Sequence, residues 1–252
     1  MPVRVDEALD NIGVPELLRH PREISSELHT HLRRLINDGV IAPGTELNQA
    51  DLARRFNVSR IPMREAFRML QQEGLIEVQL NQRATVRALD ADEVDQLYGM
   101  RITLESLGVR ITAGSMTDEE VRLARGCLAT MRKVKRRKDM TEWIAVHREF
   151  HRLCTARAGE PLARIILSCS ERTERYLRFG QRSHPDAFAA AEQEHRQILA
   201  ALVEGDAHRA GTLMAEHLSH TATMVVTDLH ADNQCATVQQ ALAMSGPDAP
   251  PR

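Results

Sequence analysis

The nineteen residues from Leu52 to Leu70, LARRFNVSRIPMREAFRML, restrict what this chain can fold into more than any other stretch. Leu52, Ala53 and Phe56 are spaced to give a first helix one apolar face, and Asn57-Val58 supplies a turn. Ser59 then offers an N-cap hydroxyl, which places the start of a second helix at about Arg60. Pro62 suits the first turn, where the amide hydrogen it lacks has no intrahelical partner in any case. Met63, Ala66, Phe67 and Leu70 recur at i, i+3, i+4 and i+7 as a buried stripe, while Arg60, Arg64 and Arg68 follow every fourth residue on the adjoining face. Two short helices, a tight turn and one cationic face are the pattern of a helix-turn-helix whose second helix enters the major groove of B-DNA. A solvated arginine face on an ordinary bundle helix is the plain alternative.

The flanks favour the first reading. Ile24, Leu28, Leu32, Leu35 and Ile36 mark an amphipathic helix ending near Gly39, and Pro43-Gly44 marks a turn. After Gly74, two strand-like runs, Leu75 to Val78 and Ala84 to Leu89, enclose the polar loop Asn81-Gln82-Arg83. Three helices and a hairpin make a winged helix-turn-helix. Charge is distributed accordingly: from Arg19 to Leu89 there are eleven arginines, no lysine and eight acidic residues, so this segment carries +3 and the remainder −5 of the chain's formal −2. A local cationic face on a near-neutral body suits reversible, salt-dependent binding to phosphates. Aromatics make up only 3% of the chain, which argues against stacking on single strands and for duplex recognition.

With 252 residues, two domains are expected, since the winged module needs only about seventy. Cys127, Cys154, Cys169 and Cys235 form no CxxC pair and read as reduced thiols. Neither a secretory signal nor an apolar run of membrane-spanning length is visible, so a cytoplasmic protein with no membrane partner is expected. From Asp90 to His230 the pattern is helical. Asp90 with Glu93 and Thr117 with Glu120 resemble capping boxes, and helices are expected near 141–158, 161–179, 186–204 and 207–229, giving an antiparallel bundle. The run Arg132 to Lys138 reads as a solvated helix end.

Within that bundle, His147 and His151 lie four residues apart on one helical face, the spacing at which two imidazoles share a metal. This is not HExxH: Glu149 sits two positions from each histidine and so points about 160° away from the pair. His195 and His217 sit inside other apolar helices. With eleven histidines in the chain, spacing alone favours satisfied or surface histidines over a metal site.

The run from Leu52 to Ile76, read as LA-x-x-F-x-VSR-x-P-M-REA-F-x-x-L-x-x-EGLI, resembles the signature of the GntR-type bacterial transcription regulators. The resemblance implies that Arg60 and Arg64 contact the operator, that Ser59, Ile61 and Pro62 approach the DNA backbone, and that the wing enters the adjacent minor groove. Arg68 extends the same cationic face. Where most relatives carry a wing-tip glycine this chain has Arg83, which can supply a minor-groove cation.

The C-terminal part, from about Ala91 to Leu229, resembles the FadR-type ligand-binding domain called FCD. It carries the R-x-x-LE of Arg101 to Glu105, the FH of Phe150-His151, the EH-x-x-I of Glu194 onward and a final M-x-x-H after the Gly205-Asp206 turn. Metal-binding members use an aspartate and three histidines. The histidines map to His151, His195 and His217, and His147 stands at the aspartate position. One less negative charge favours zinc or nickel over a hard ion. The resemblance also implies a small organic acid effector anchored in the bundle, a homodimer, and double-stranded operator DNA as partner. Arg101 is the natural guanidinium for the effector's carboxylate, or else a structural partner of Glu105, and Arg172 and Tyr176 are candidates for the same cavity.

The expectation is thus a mainly α chain: an extension over 1–20, a winged helix-turn-helix over 21–89, a helical effector-binding and dimerisation domain over 90–230, and a disordered tail over 231–252. The function expected is ligand-responsive repression. A metal-dependent enzyme tethered to DNA would need a base beside the metal. An architectural DNA-binding protein would leave the four histidines without a role.

Overall fold

The structure, a computed structural model, describes residues 23–78, 83–137, 139–183, 187–229 and 234–246. Among them are ten helices and one three-stranded sheet, in two compact units that divide between Leu89 and Asp90. The expected extension over 1–20, the wing-tip residues Asn81 and Gln82 and the break at His184-Pro185 lie outside the described residues. No described helix is long and apolar enough to cross a membrane.

The N-terminal unit is a winged helix-turn-helix. Helix α1 (Ile24–Asn37) is followed by β1 (Glu46–Asn48), α2 (Gln49–Arg55), α3 (Arg60–Gln72), β2 (Ile76–Val78) and β3 (Arg83–Val86). The sheet is antiparallel in the order β1-β3-β2, with Glu46 opposite Thr85 and Ile76 opposite Val86. Strand β1 was not expected; its three residues are too few to show alternation, and Asn48 also caps α2 by accepting from the amides of Ala50 and Asp51. Leu28, Leu32, Leu52, Met63, Ala66 and Leu70 are fully buried together with Ile41 and Leu47, so both helical stripes and the sheet close one core. Asn57, at φ 51°, takes the left-handed conformation that turns the chain from α2 into α3.

The C-terminal unit is helical throughout: α4 (Ala91–Thr112), α5 (Asp118–Arg137), α6 (Met140–Cys154), α7 (Glu160–Ser183), α8 (Ala187–Glu204), α9 (Ala207–Asp228) and α10 (Ala236–Ser245). Helix α4 is central, packing against α7, α9 and α10 and burying Val94, Leu97, Tyr98, Ile102 and Val109. Thr117 and Glu120 form a reciprocal capping box, Glu120 N–H donating to the Thr117 hydroxyl and Thr117 N–H to the Glu120 carboxylate. Asp90 caps α4, and the Glu93 carboxylate accepts from Tyr176 and Arg172. Arg132 and Arg137 pair with Glu192 and Glu142.

The tail differs from expectation. Residues 231–252 were expected to be disordered, whereas Ala236–Ser245 is a helix packed on α4 and α9. Its cap comes from elsewhere in the chain: Asp95 of α4 accepts from the amides of Thr237 at 3.0 Å and Val238 at 2.9 Å. At the other end Arg110 of α4 donates to the Ser245 carbonyl at 2.8 Å. A carboxylate at the N-terminus and a guanidinium at the C-terminus complement the helix dipole. Gly99 lets α10 approach, since a Cβ there would lie 2.6 Å from the Thr237 methyl.

Candidate metal centre and nucleic-acid interface

Helix α3 presents the residues singled out for DNA. Its apolar stripe is buried, which turns Arg60, Arg64 and Arg68 outward, and Ile61 is 65% exposed beside them. Ser59 has the extended N-cap backbone, but its hydroxyl makes no capping hydrogen bond, contrary to expectation. No acidic residue lies in the first turn, whereas α2 has Asp51 there and α4 has Asp92 and Glu93. Helix α3 therefore brings its positive dipole end and two arginines together without the usual internal compensation, as a phosphate-binding helix end requires. Arg68 is drawn to Glu65 at 3.0 Å. Arg83 is placed differently from the wing tip expected: it starts β3, opposite Asn48, and its guanidinium reaches Glu46 at 3.4 Å, because β3 pairs with the unforeseen β1.

In the C-terminal unit the four histidines meet. One turn of α6 places His147 and His151 on a common face, and α8 and α9 supply His195 and His217. One ligand atom from each lies within 4.8 Å of those of all the others, and all four residues are buried. The Nε2 atoms of His147 and His151 are 3.2 Å apart, and those of His195 and His217 are 3.1 Å apart. Four nitrogens around a tetrahedral ion at about 2.0–2.1 Å would be spaced by about 3.3 Å, so both close pairs are near ligand spacing.

Two carboxylates orient the rings. Glu105 of α4 accepts from His151 Nδ1 at 2.7 Å, and Glu194 of α8 accepts from His217 Nδ1 at 2.7 Å. An ionised carboxylate can only accept, so each of these rings carries its proton on Nδ1 and turns the Nε2 lone pair into the cluster. Burial pushes the Glu105 carboxyl upward, yet Arg101 and His151 outweigh it and hold the group at about 2. Burial, and then the neighbouring imidazoles, push His147 and His195 well below the ordinary histidine range. Burial also lowers His151, although Glu105 opposes it. Buried imidazoles of this kind are neutral at physiological pH, the form that ligates metal. Trp143 stacks on His147, with ring centroids 4.7 Å apart.

The residues expected to meet an effector are otherwise engaged. Arg101, only 3% exposed, gives Nε to Glu105 at 2.7 Å and a second nitrogen to Thr173 at 3.1 Å. Arg172 binds Glu93 at 2.9 Å, and Tyr176 donates to the same carboxylate at 2.6 Å. These two tie α7 to the first turn of α4 and do not line the cavity beside the histidines. That cavity, of about 200 Å³, is lined by Trp143, His147, Gln181, Glu194, His217 and His220, among others. Another, of about 550 Å³, includes Glu105 and His151 in its lining. Glu149 faces away from the histidines and pairs with Arg152 at 2.6 Å on the surface. The sequence reading missed Glu105 and Glu194 as orienting groups, although both stand in the motifs quoted, Glu105 closing R-x-x-LE and Glu194 preceding His195.

A winged DNA-binding unit joined in one chain to a separate helical unit is the layout of a bacterial transcription regulator. The chain belongs to the GntR family: residues 24–86 match the bacterial regulatory proteins of the gntR family, and residues 96–220 match the FCD domain. It is 28% identical over 211 residues to the HTH-type transcriptional repressor RspR of Escherichia coli (strain K12), covering 82% of this chain and 91% of that relative. It is 31% identical over 137 residues to the HTH-type transcriptional regulator YdhC of Bacillus subtilis (strain 168), covering 54% of this chain and 61% of that relative. Among solved structures, E. coli McbR/YncC shares the fold with a TM-score of 0.70 at 21% identity, over 82% of this chain and 98% of that one.

Proposed function

We propose that this protein is a metal-dependent, ligand-responsive repressor that binds double-stranded operator DNA as a homodimer and is released or retained by a small organic acid. The observation that carries the reading is the convergence of His147, His151, His195 and His217, with two rings oriented by carboxylates and two ligands bordering a cavity. An all-imidazole donor set without a carboxylate ligand suits zinc or nickel better than a hard ion. When bound, such an ion supplies a Lewis-acidic anchor for a carboxylate. His147 and His217 would hold it where the cavity reaches the cluster.

On the DNA side, Arg60 and Arg64 read the major groove, Ser59, Ile61 and Pro62 approach the backbone, and Arg68 and Arg83 supply phosphate or groove charge. Repression is supported by the name of the relative RspR, described as a transcriptional repressor. Effector binding in the helical domain biases the relative placement of two DNA-binding units, so that recognition helices one groove turn apart gain or lose register.

The test is to incubate purified protein with fragmented genomic DNA of its own organism and sequence what is retained, with metal content measured on the same preparation. Enrichment of a short inverted repeat, together with stoichiometric zinc or nickel, is expected. Broad, salt-sensitive retention without a motif, from protein free of transition metal, would replace this reading with an architectural one.

A further inference from the structure

The middle of the face that α3 turns away from its core is held by an apolar side chain. At 100° per residue Ile61 stands about 170° around the helix from the centre of the buried stripe of Met63, Ala66, Phe67 and Leu70, while Arg60 and Arg64 lie nearer its edge. Ile61 is 65% exposed, more than any other large hydrophobic residue described in the N-terminal unit. Glu65, one turn on, is tied to Arg68 at 3.0 Å, so the charges next to Ile61 on this face answer each other.

An isoleucine alone on a protein surface is ordinary, but this one occupies the first turn of the helix whose N-terminal residues reach base edges in a helix-turn-helix. Its backbone amide is among the first four of the helix, which have no intrahelical acceptor, and can donate to a phosphate oxygen. Its side chain cannot, since phosphate oxygens only accept and isoleucine has nothing to donate. The donor and acceptor atoms of base edges lose water against an alkyl group without gaining a partner. What remains in the major groove is the C5-methyl of thymine, the one apolar group that unmodified base pairs present there. Branching at Cβ suits the contact, because in a helix isoleucine is confined largely to one χ1 rotamer and gives up little freedom on being buried.

We propose that the Ile61 side chain packs on a thymine C5-methyl in the major groove, which makes Ile61 the residue that selects a T·A pair at one position of each operator half-site, while its amide keeps the backbone contact. This rests on the operator-binding reading above. It adds a base identity and the residue that reads it.

The experiment selects the organism's own fragmented genomic DNA on the full-length protein. The retained site is then synthesised with each thymine in turn replaced by deoxyuridine, which lacks only the C5-methyl. At one thymine of each half-site the replacement should weaken wild-type binding about fourfold, the worth of one buried methyl. Ile61→Ala should bind the thymine site more weakly than wild type and respond to that replacement by less than about 1.5-fold, since the partner of the methyl is already gone. The slope of its log affinity against log salt should stay at the wild-type value, which reports that the variant is folded and keeps its phosphate contacts. Ile61→Val, which keeps the branch, should still respond about two- to fourfold. No sensitive thymine in the wild-type site, or a sensitivity that persists in Ile61→Ala, overturns the assignment of Ile61 and leaves operator binding standing. Retention of no discrete site by the wild-type protein overturns both.

Discussion

Arg101 and Glu105 offer a sharp test of how the C-terminal unit is built, because they form a buried ion pair on one helix that also sets a histidine. They are 3% and 0% exposed, 2.7 Å apart, and Glu105 holds His151 with its second oxygen. Replacing Glu105 by leucine leaves the Arg101 guanidinium buried without its carboxylate, beside Thr173 and the Tyr98 ring, and breaking a buried pair in this way costs about 3–5 kcal/mol. Arg101→Met strands the Glu105 carboxylate and should cost about the same. The double variant Arg101→Met/Glu105→Leu strands neither charge. It loses mainly the hydrogen bond to His151, about 1 kcal/mol, so the coupling between the two sites should be at least about 4 kcal/mol.

For a unit of this size 1 kcal/mol corresponds to about 3–4 °C. Each single variant should therefore lower the melting temperature of the C-terminal unit by about 10–20 °C, and the double variant by only about 3–5 °C. The assay is differential scanning calorimetry in chelator, so that metal does not contribute. Single variants that each shift melting by less than about 3 °C, or a double variant that loses the sum of both, would refute the buried-pair reasoning. Metal titration of the same proteins should then show weakening by about ten- to a hundredfold wherever Glu105 is absent.

His151→Ala should abolish both metal binding and effector response while operator affinity, read by gel shift, stays at the wild-type level; an unchanged response would separate the histidine cluster from sensing. Arg64→Ala should weaken operator binding and reduce the slope of log affinity against log salt by about one if the arginine neutralises a phosphate, or relax specificity at one base pair if it reads a base. Asp95→Ala removes the cap of α10, costs about 0.5–2 kcal/mol and should open the chain near Ala236 to limited proteolysis; a tail still resistant to protease would show that the apolar packing alone holds it. In the DNA-binding unit, burial raises the Glu73 carboxyl but His29 and Arg33 hold it below its ordinary value of 4.5. Because that value is depressed on folding, the contribution is complete above about pH 4.5 and fades as pH falls through the folded value, so wild-type protein and Glu73→Gln should converge in melting temperature on acidification. A constant gap between the two curves would exclude the ion pair as its cause.

The elements that could be read from sequence are those whose partners lie within one or two turns. The stripe Met63, Ala66, Phe67 and Leu70 names its own buried face, and with it the exposure of Arg60 and Arg64. Thr117 and Glu120 cap locally and form as expected. Helix α10 was missed because its cap comes from a residue 142 positions away, and a short run of alanine and small residues gives no periodic signal of its own. Strand β1 was missed because its three residues acquire strand character only from pairing with β3. Arg172 and Tyr176 are candidates for the effector cavity by sequence but bind Glu93 in the fold, an outcome that depends on which face α7 turns to α4.

The spacing of His147 and His151 establishes a two-imidazole face, because residues four apart on a helix share a side whatever surrounds them. Likewise the amphipathic pattern of α3 settles which of its residues could touch DNA. Arg101 and Glu105, four apart on α4, share a side in the same way, whereas helix packing alone brought His195 and His217 to the first pair and set Glu105 and Glu194 against two of the rings. Those relations depend on the angles and offsets at which α4, α6, α8 and α9 cross, set by side-chain interdigitation over the whole bundle. Periodicity along one helix carries the direction of a side chain but not the identity of what it meets.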